Sequence, residues 1–267
     1  MNGYEKKMTE ILLRGKEFHG IVATKAEFEA EGTRTDELLR LLEIAHRAGV
    51  DIALKVGGCE AIRDLLEARQ FGVRYIIAPM VETPYALSKY IAAKEKVFQE
   101  EEERKETVFL FNLETITAFE HLREMVALAG GSPGCDGVVF GRVDFSGSLG
   151  IGRTGIESEE VTSRGEVAAA ICRDAGLQFV VGGAVSIDAL ENLRRFDAVH
   201  LTRFETRKVV FESAALGRPS LEQALKDAVH FELLWLLNKR DYYGFIHRED
   251  EARITMLEDR WKVLGEP

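Results

Sequence analysis

Thr107-Val108-Phe109-Leu110-Phe111-Asn112-Leu113-Glu114-Thr115 decides how this chain folds. Its apolar run is unbroken, without the polar alternation of a strand that wets one face, so it describes a strand buried on both sides, as in a parallel sheet covered by helices. One carboxylate, Glu114, follows its end directly. Residues 137–140 repeat the arrangement, leading into Gly141-Arg142-Val143-Asp144-Phe145-Ser146 and placing Asp144 just past a second buried run. Two acids delivered to the same end of a parallel barrel make a place for a hard divalent cation, which takes oxygen ligands and keeps several waters.

Working outward, short β-branched or aromatic runs at residues 20–28, 52–56, 75–81, 107–113, 137–140, 179–181 and 198–202 alternate with segments of helical period. That is a βαβ rhythm. Thr35-Asp36-Glu37-Leu38-Leu39-Arg40-Leu41-Leu42 opens with a capping residue and first-turn acids and puts its leucines on one face. Further helices are expected over residues 61–68, 84–102, 116–129, 159–175 and 186–196, with Gly49, Gly72 and Gly176 as terminators. The fold class is therefore α/β, a (β/α)8 TIM-type barrel with a C-terminal helical extension. Seven strands are visible. The eighth is either residues 207–211 or a place plugged by the N-terminal segment. Residues 1–219 form the barrel domain, and residues 220–267 carry two helices, 221–239 and 249–264, whose broad apolar surface packs on the barrel or on a second subunit.

Composition narrows the function. With 45 acidic against 35 basic side chains the net charge is −10, which disfavours nucleic acid and anionic membranes while leaving room for a small anionic substrate met by local cations. Cys59, Cys135 and Cys172 have neither metal-ligand spacing nor an even count, so no disulfide scaffold is expected. The charged N-terminus lacks a secretory core and no long apolar run exists, so the expected compartment is the cytoplasm. The six histidines are scattered, and packing accounts for each of them.

Catalytic groups of such a barrel sit at the carboxyl ends of its strands. A census of polar residues past each run gives Lys25, Glu27, Glu29 and Glu31, then Lys55, Glu82, Asn112 and Glu114, then Arg142, Asp144 and Ser146. Gly182-Gly183 follows the sixth run, and Arg203, Glu205 and Arg207 follow the seventh. Asn112-Leu113-Glu114-Thr115 followed by Gly141-Arg142-Val143-Asp144-Phe145-Ser146-Gly147-Ser148-Leu149-Gly150, with Pro79-Met80-Val81-Glu82-Thr83 upstream, resembles the motifs of the HpcH/HpaI aldolase and citrate lyase β-subunit family, a branch of the phosphoenolpyruvate/pyruvate barrel superfamily. The similarity spans roughly residues 20–185, in the same order.

That resemblance implies that Glu114 and Asp144 coordinate Mg2+ or Mn2+, that Asn112 stands near a bound oxo acid, and that Lys55 replaces an Arg facing the substrate oxygen. It implies a metal-dependent carbon–carbon lyase acting on a 2-oxo acid or hydroxyacyl compound through an enolate. Thioester hydrolysis or a mutase-like step on the same barrel is the enzymatic alternative, and a noncatalytic barrel binding an anionic metabolite is the other. Backbone amides around Gly141, with Ser146 nearby, are expected to hold the substrate carboxylate. Arg142 is expected to bind a distal anion or to pair with a neighbouring acid. The family's Glu-His pair is absent: the matching stretch reads Glu27-Phe28-Glu29-Ala30-Glu31, so the proton falls to Glu27, Glu29, Glu31 or Glu82. A homo-oligomer formed through the C-terminal helices is expected.

Overall fold

The computed structural model describes residues 1–265. Helix α1 (Gly3–Arg14) runs through a short wide turn to Gly20 and the first strand, β1 (Ile21–Glu27). Then follow α2 (Thr35–Ala48), β2 (Asp51–Lys55), α3 (Ile62–Gln70), β3 (Tyr75–Ala78), α4 (Pro84–Val97), α5 (Glu101–Glu106) and β4 (Val108–Leu113). The second half continues with α6 (Ile116–Glu120), α7 (Leu122–Ala129), β5 (Gly137–Gly141), α8 (Arg142–Ser148), α9 (Glu159–Asp174), β6 (Gln178–Gly182), α10 (Leu190–Val199), β7 (Arg203–Glu205), β8 (Val209–Glu212) and α11 (Leu221–Leu264). The strands close in sequence order into a barrel.

Strands β1 to β7 are parallel, but β8 runs antiparallel to both neighbours, β7 and β1. Chain length forces the reversal. Only residues 206–208 separate β7 from β8, and a parallel connection needs a crossover of a dozen residues or more. The hairpin is pinned by Thr206 N–H donating to Val209 O at 2.9 Å and Val209 N–H donating to Thr206 Oγ1 at 3.1 Å. Of the two options for the eighth place, the segment at 207–211 supplies the strand, running opposite to the direction a (β/α)8 barrel implies. The seventh differs too: residues 198 and 199 end α10, and the strand begins at Arg203, where one buried Phe204 sits between two polar residues. An apolar-run criterion passes over such a strand.

Inward and outward positions alternate along each strand. Ala23, Ala53, Ile77, Leu110, Val139, Val180 and Val210 fill the barrel interior as one apolar layer. At the amino-terminal ends below it, the Arg203 guanidinium stacks 4.5 Å from the Tyr75 ring centroid and donates to Gln178 Oε1 at 2.5 Å, closing the floor of the barrel. Arg203 therefore lies at the end opposite to the one expected from its place after the seventh run. The outward residues join the larger core between strands and helices, with Phe140, Phe145, Phe179 and Phe196 in mutual aromatic contact.

The C-terminal helices are one element. Helix α11 spans 44 residues, ~66 Å at the usual rise. Its first part, through Trp235, buries Leu225, Phe231 and Leu234, with Arg14 of α1 reaching Asp227 at 2.7 Å. From Leu236 onward Tyr242, Phe245, Ile254, Leu257 and Trp261 are exposed. The helix expected over 84–102 ends at Val97, the acidic run after it forms the short helix α5, and the single helix expected over 116–129 breaks at His121 into α6 and α7. Among the described residues no helix is long and apolar enough to cross a membrane.

Candidate functional site

Strand parity builds the site. Two positions beyond the apolar layer, the inward residues become Lys25 on β1, Lys55 on β2, Asn112 on β4, Gly141 on β5, Gly182 on β6 and, on β7, Glu205. They line a cavity of about 510 Å³ at the carboxyl end of the barrel, completed by Glu27, Glu29, Asp144, Arg153, Arg207 and Glu232. A larger groove of about 630 Å³ lies between α1, the start of α2 and α11, but only the barrel mouth gathers buried lysines and carboxylates.

Two lysine-centred clusters flank a floor of glycine. On one side Lys55 Nζ lies 3.0 Å from Glu114 Oε1 and 3.2 Å from Glu29 Oε2. Asn112 Nδ2 donates to the same Glu114 oxygen at 2.6 Å, and the Met80 amide donates to Oε2 at 3.2 Å. On the other side Lys25 Nζ lies 2.5 Å from Glu205 Oε1 and 3.3 Å from Glu27 Oε1. Between them Gly141 and Gly182 are partners in register. A methyl group on Gly141 would stand 2.7 Å from Glu114 Cγ, and one on Gly182 3.1 Å from Glu205 Oε1. The absence of side chains there lets both carboxylates lie across the floor.

Burial alone pushes an ammonium toward its neutral form. For Lys55 that pull is outweighed by Glu114, with Glu29 adding to it, and the amine is held above the ordinary lysine value. Lys25 is raised further, because Glu205 and Glu27 together overcome its desolvation. Both lysines are thus cations at neutral pH. Glu27 lies below the usual carboxylate range: burial opposes this, and the charges of Lys25 and Lys55 prevail. Met80 has φ +50° and Ala184 +52°, a left-handed conformation that costs non-glycine residues ~1–2 kcal/mol. Met80 carries the amide bonded to Glu114 Oε2, so the strained residue is one that orients this carboxylate.

The cavity gathers Lys55, Glu27, Glu29, Asn112, Gly141, Glu114 and Asp144 of the expected residues. Glu114 is buried and held by three donors, whereas Asp144, in the first turn of α8, is exposed and without a hydrogen bond among the described residues. Four others are placed elsewhere. Arg142, expected at a distal substrate anion, is fully buried: Nη1 donates to both Glu157 carboxylate oxygens at 2.9 Å, and Nη2 donates to Gly183 O at 2.8 Å. It ties the start of α8, which carries Asp144, to the loop after β6 and to Glu157 ahead of α9, and the paired-acid alternative is the one realised. Ser146 is buried and donates to Val143 O at 2.9 Å inside α8. Glu82 accepts from Thr115 Oγ1 at 2.8 Å, bracing the helix start after β4 from outside the cavity lining. Glu31 is drawn away as well, paired with Arg207 at 3.0 Å and with buried Lys208.

Lys25, Glu205 and Gly182, which the census of strand ends includes without a role, complete the site. The usable signal was parity: Lys25 stands to Ala23 as Lys55 stands to Ala53. None of the six histidines lines the cavity. His19, the most buried, contacts Ser220 Oγ at 2.9 Å beside Asp227, away from the mouth.

Among the described residues, no group of three His, Cys, Asp or Glu side chains forms a ready metal cluster. The donor set nonetheless suits a hard cation. Six carboxylates face four cationic side chains in the lining, an excess of negative charge that an anionic substrate alone would increase. Asn112 Oδ1 is buried with no partner, an acceptor awaiting a donor or a cation in the same cavity.

The HpcH/HpaI aldolase/citrate lyase family model matches residues 34–200. The solved HpcH/HpaI aldolase from Desulfitobacterium hafniense DCB-2 is similar in fold, with TM-score 0.61 and 17% identity over 81% of this chain and 85% of that one. An HpcH/HpaI aldolase/citrate lyase family protein from Burkholderia cenocepacia J2315 gives TM-score 0.59 and 14% identity over 84% and 90%. RipC from Yersinia pestis gives 0.51 and 13% over 80% and 88%. No curated protein matches the chain by sequence. With the family model covering more than half of its length, the chain belongs to the HpcH/HpaI aldolase/citrate lyase family.

Proposed function

We propose that the protein is a carbon–carbon lyase acting through the enolate of a 2-oxo acid or hydroxyacyl substrate, with Mg2+ or Mn2+ held by Glu114 and Asp144. The observation that carries this reading is the placement of those two carboxylates, one from the end of β4 and one from the start of α8, in a single barrel-mouth cavity whose lining has more acids than bases. Bound there, a divalent cation supplies Lewis-acid stabilisation of the oxyanion that forms as the carbon–carbon bond breaks. Lys55 adds a fixed positive charge at the same end of the cavity, worth ~3 kcal/mol of barrier in a water-poor site. Asn112 holds Glu114 through Nδ2 and offers its free Oδ1 to a substrate donor. Arg142 orders the two loops around the cavity instead of binding substrate. A screen for Mg2+-dependent release of a 2-oxo acid from 4-hydroxy-2-oxo acids and hydroxyacyl thioesters tests the reading. Turnover lost in Glu114→Gln and Asp144→Asn with folding intact supports it; tight metabolite binding without turnover indicates the noncatalytic barrel. The exposed apolar side chains along the second half of α11 support self-association as part of the same proposal.

A further inference from the structure

The family's histidine is missing, and the acids first considered in its place are poorly suited to replace it. Glu82 lies outside the cavity lining. Glu29 sits on a loop with its side chain about a third exposed and one oxygen bound to Lys55. Glu27 lies between two lysines, Lys25 at 3.3 Å and Lys55, both of which hold it as the carboxylate, whereas Glu205 meets Lys25 alone. Glu205 differs from all three. It is 3% exposed, lies across Gly182 on the glycine floor, and lines the cavity beside Lys25. Lys25 engages only its Oε1, and Oε2 has no partner among the described residues. Its backbone is rigid as well: Glu205 pairs with Val210 and is the last residue before the tight hairpin to β8. A base fixed within a fraction of an ångström by a regular element is what proton transfer to carbon requires.

We propose that Glu205, oriented by Lys25, is the residue that moves the proton at the carbon next to the substrate carbonyl; this rests on the enolate reading above. In the enolising direction Glu205 Oε2 takes a proton from C3 of a bound 2-oxo acid. The C–H electron pair becomes the C2–C3 double bond, and the carbonyl pair moves to the keto oxygen. In the cleavage direction the carboxylate takes the proton of the C4 hydroxyl as the C3–C4 bond breaks, and returns it to C3 of the enolate. The products are a 2-oxo acid and an aldehyde, and no outside acid, base or oxidant is consumed. Lys25 is a positioning residue: it fixes one oxygen and leaves the other toward the cavity.

Exchange of the methyl protons of pyruvate in D2O with Mg2+ present, followed by proton NMR, tests this. The wild-type protein should exchange them. Glu205→Gln, in which Lys25 keeps Glu27 as a partner, should slow exchange by about a hundredfold or more, the usual contribution of a positioned base. Its melting temperature and its affinity for oxalate, a planar mimic of the enolate, should be unchanged. Glu205→Asp should recover part of the rate, and Lys25→Arg should lower the maximal exchange rate without raising the pyruvate concentration for half-saturation. Undiminished exchange in Glu205→Gln, or loss of oxalate binding together with exchange, overturns the assignment. Exchange lost in Glu29→Gln or Glu27→Gln but kept in Glu205→Gln transfers the role to that residue. If the wild-type protein binds oxalate yet exchanges no pyruvate proton, the enolate reading itself fails, a result distinct from failure of the Glu205 variant alone.

Discussion

Arg142→Lys separates the two roles that Arg142 can have beside Asp144. In the folded chain its guanidinium makes two 2.9 Å contacts to Glu157, one of 2.8 Å to Gly183 O and a long one of 3.4 Å to Gly182 O. A lysine has one nitrogen and no fork, so it replaces the Glu157 contact at best and leaves the carbonyls without their charged donor. The carboxylate side counts for little, because Glu157 is 34% exposed and can be rehydrated; ~1 kcal/mol is a fair figure for that part. Losing a charged donor to a buried carbonyl costs ~2 kcal/mol. The sum, ~3 kcal/mol, lowers Tm by ~5 °C for a chain of 267 residues at ordinary unfolding entropy. Differential scanning calorimetry reads the shift, and oxalate titration should show only a modest change in affinity. An unaltered Tm together with a large loss of affinity for a dicarboxylate such as oxaloacetate, relative to pyruvate, would refute the structural role and restore Arg142 as an anion-binding group.

Three further outcomes are expected. Mg2+ at ~100 times its dissociation constant should stabilise the protein by ~2.7 kcal/mol, seen as a rise of ~5 °C in Tm. Glu114→Gln and Asp144→Asn should each abolish that rise, and a shift surviving both would place the cation elsewhere. Gly141→Ala puts a methyl 2.7 Å from Glu114 Cγ, and a strain of ~1.4 kcal/mol, within the range for overpacking, corresponds to a tenfold weaker Mg2+ affinity by calorimetry; unchanged affinity would show that Glu114 gives way freely. Glu37 is held below the usual carboxylate range because contacts from Lys239, Tyr243 and the Arg34 amide outweigh its burial. A depressed folded-state pKa adds stability above the unfolded-state value and loses it as the pH falls through the folded-state one. The stability gap between wild type and Glu37→Gln should therefore be full at pH 7 and close in acid; a gap that persists well below the ordinary carboxylate value would rule this linkage out.

Six of the seven parallel strands could be read because their apolar residues are concentrated in short runs, and Glu114 and Asp144 stood out because they follow such runs closely. Where that signal fails, the reason is physical. Strand β7 holds Phe204 alone between Arg203 and Glu205, since one inward neighbour stacks on Tyr75 at the barrel floor and the other faces the cavity. Arg142 is a related case: from sequence it reads equally as an anion receptor or as the partner of a neighbouring acid, and the fold shows Glu157 and the Gly182-Gly183 carbonyls converging on it. The break in α/β periodicity after α10 is the deeper case. Three residues between β7 and β8 rule out a crossover helix, so the last strand must return antiparallel and the barrel loses its eighth βα loop. What stands there is a hairpin, with Glu205 at its base and Lys208 and Arg207 in its turn holding Glu31 of the loop after β1. That pairing draws Glu31 off, while Glu27 and Glu29 remain on the lysines. The reversal that hides the end of the barrel from sequence periodicity thus also decides which acids face the cavity.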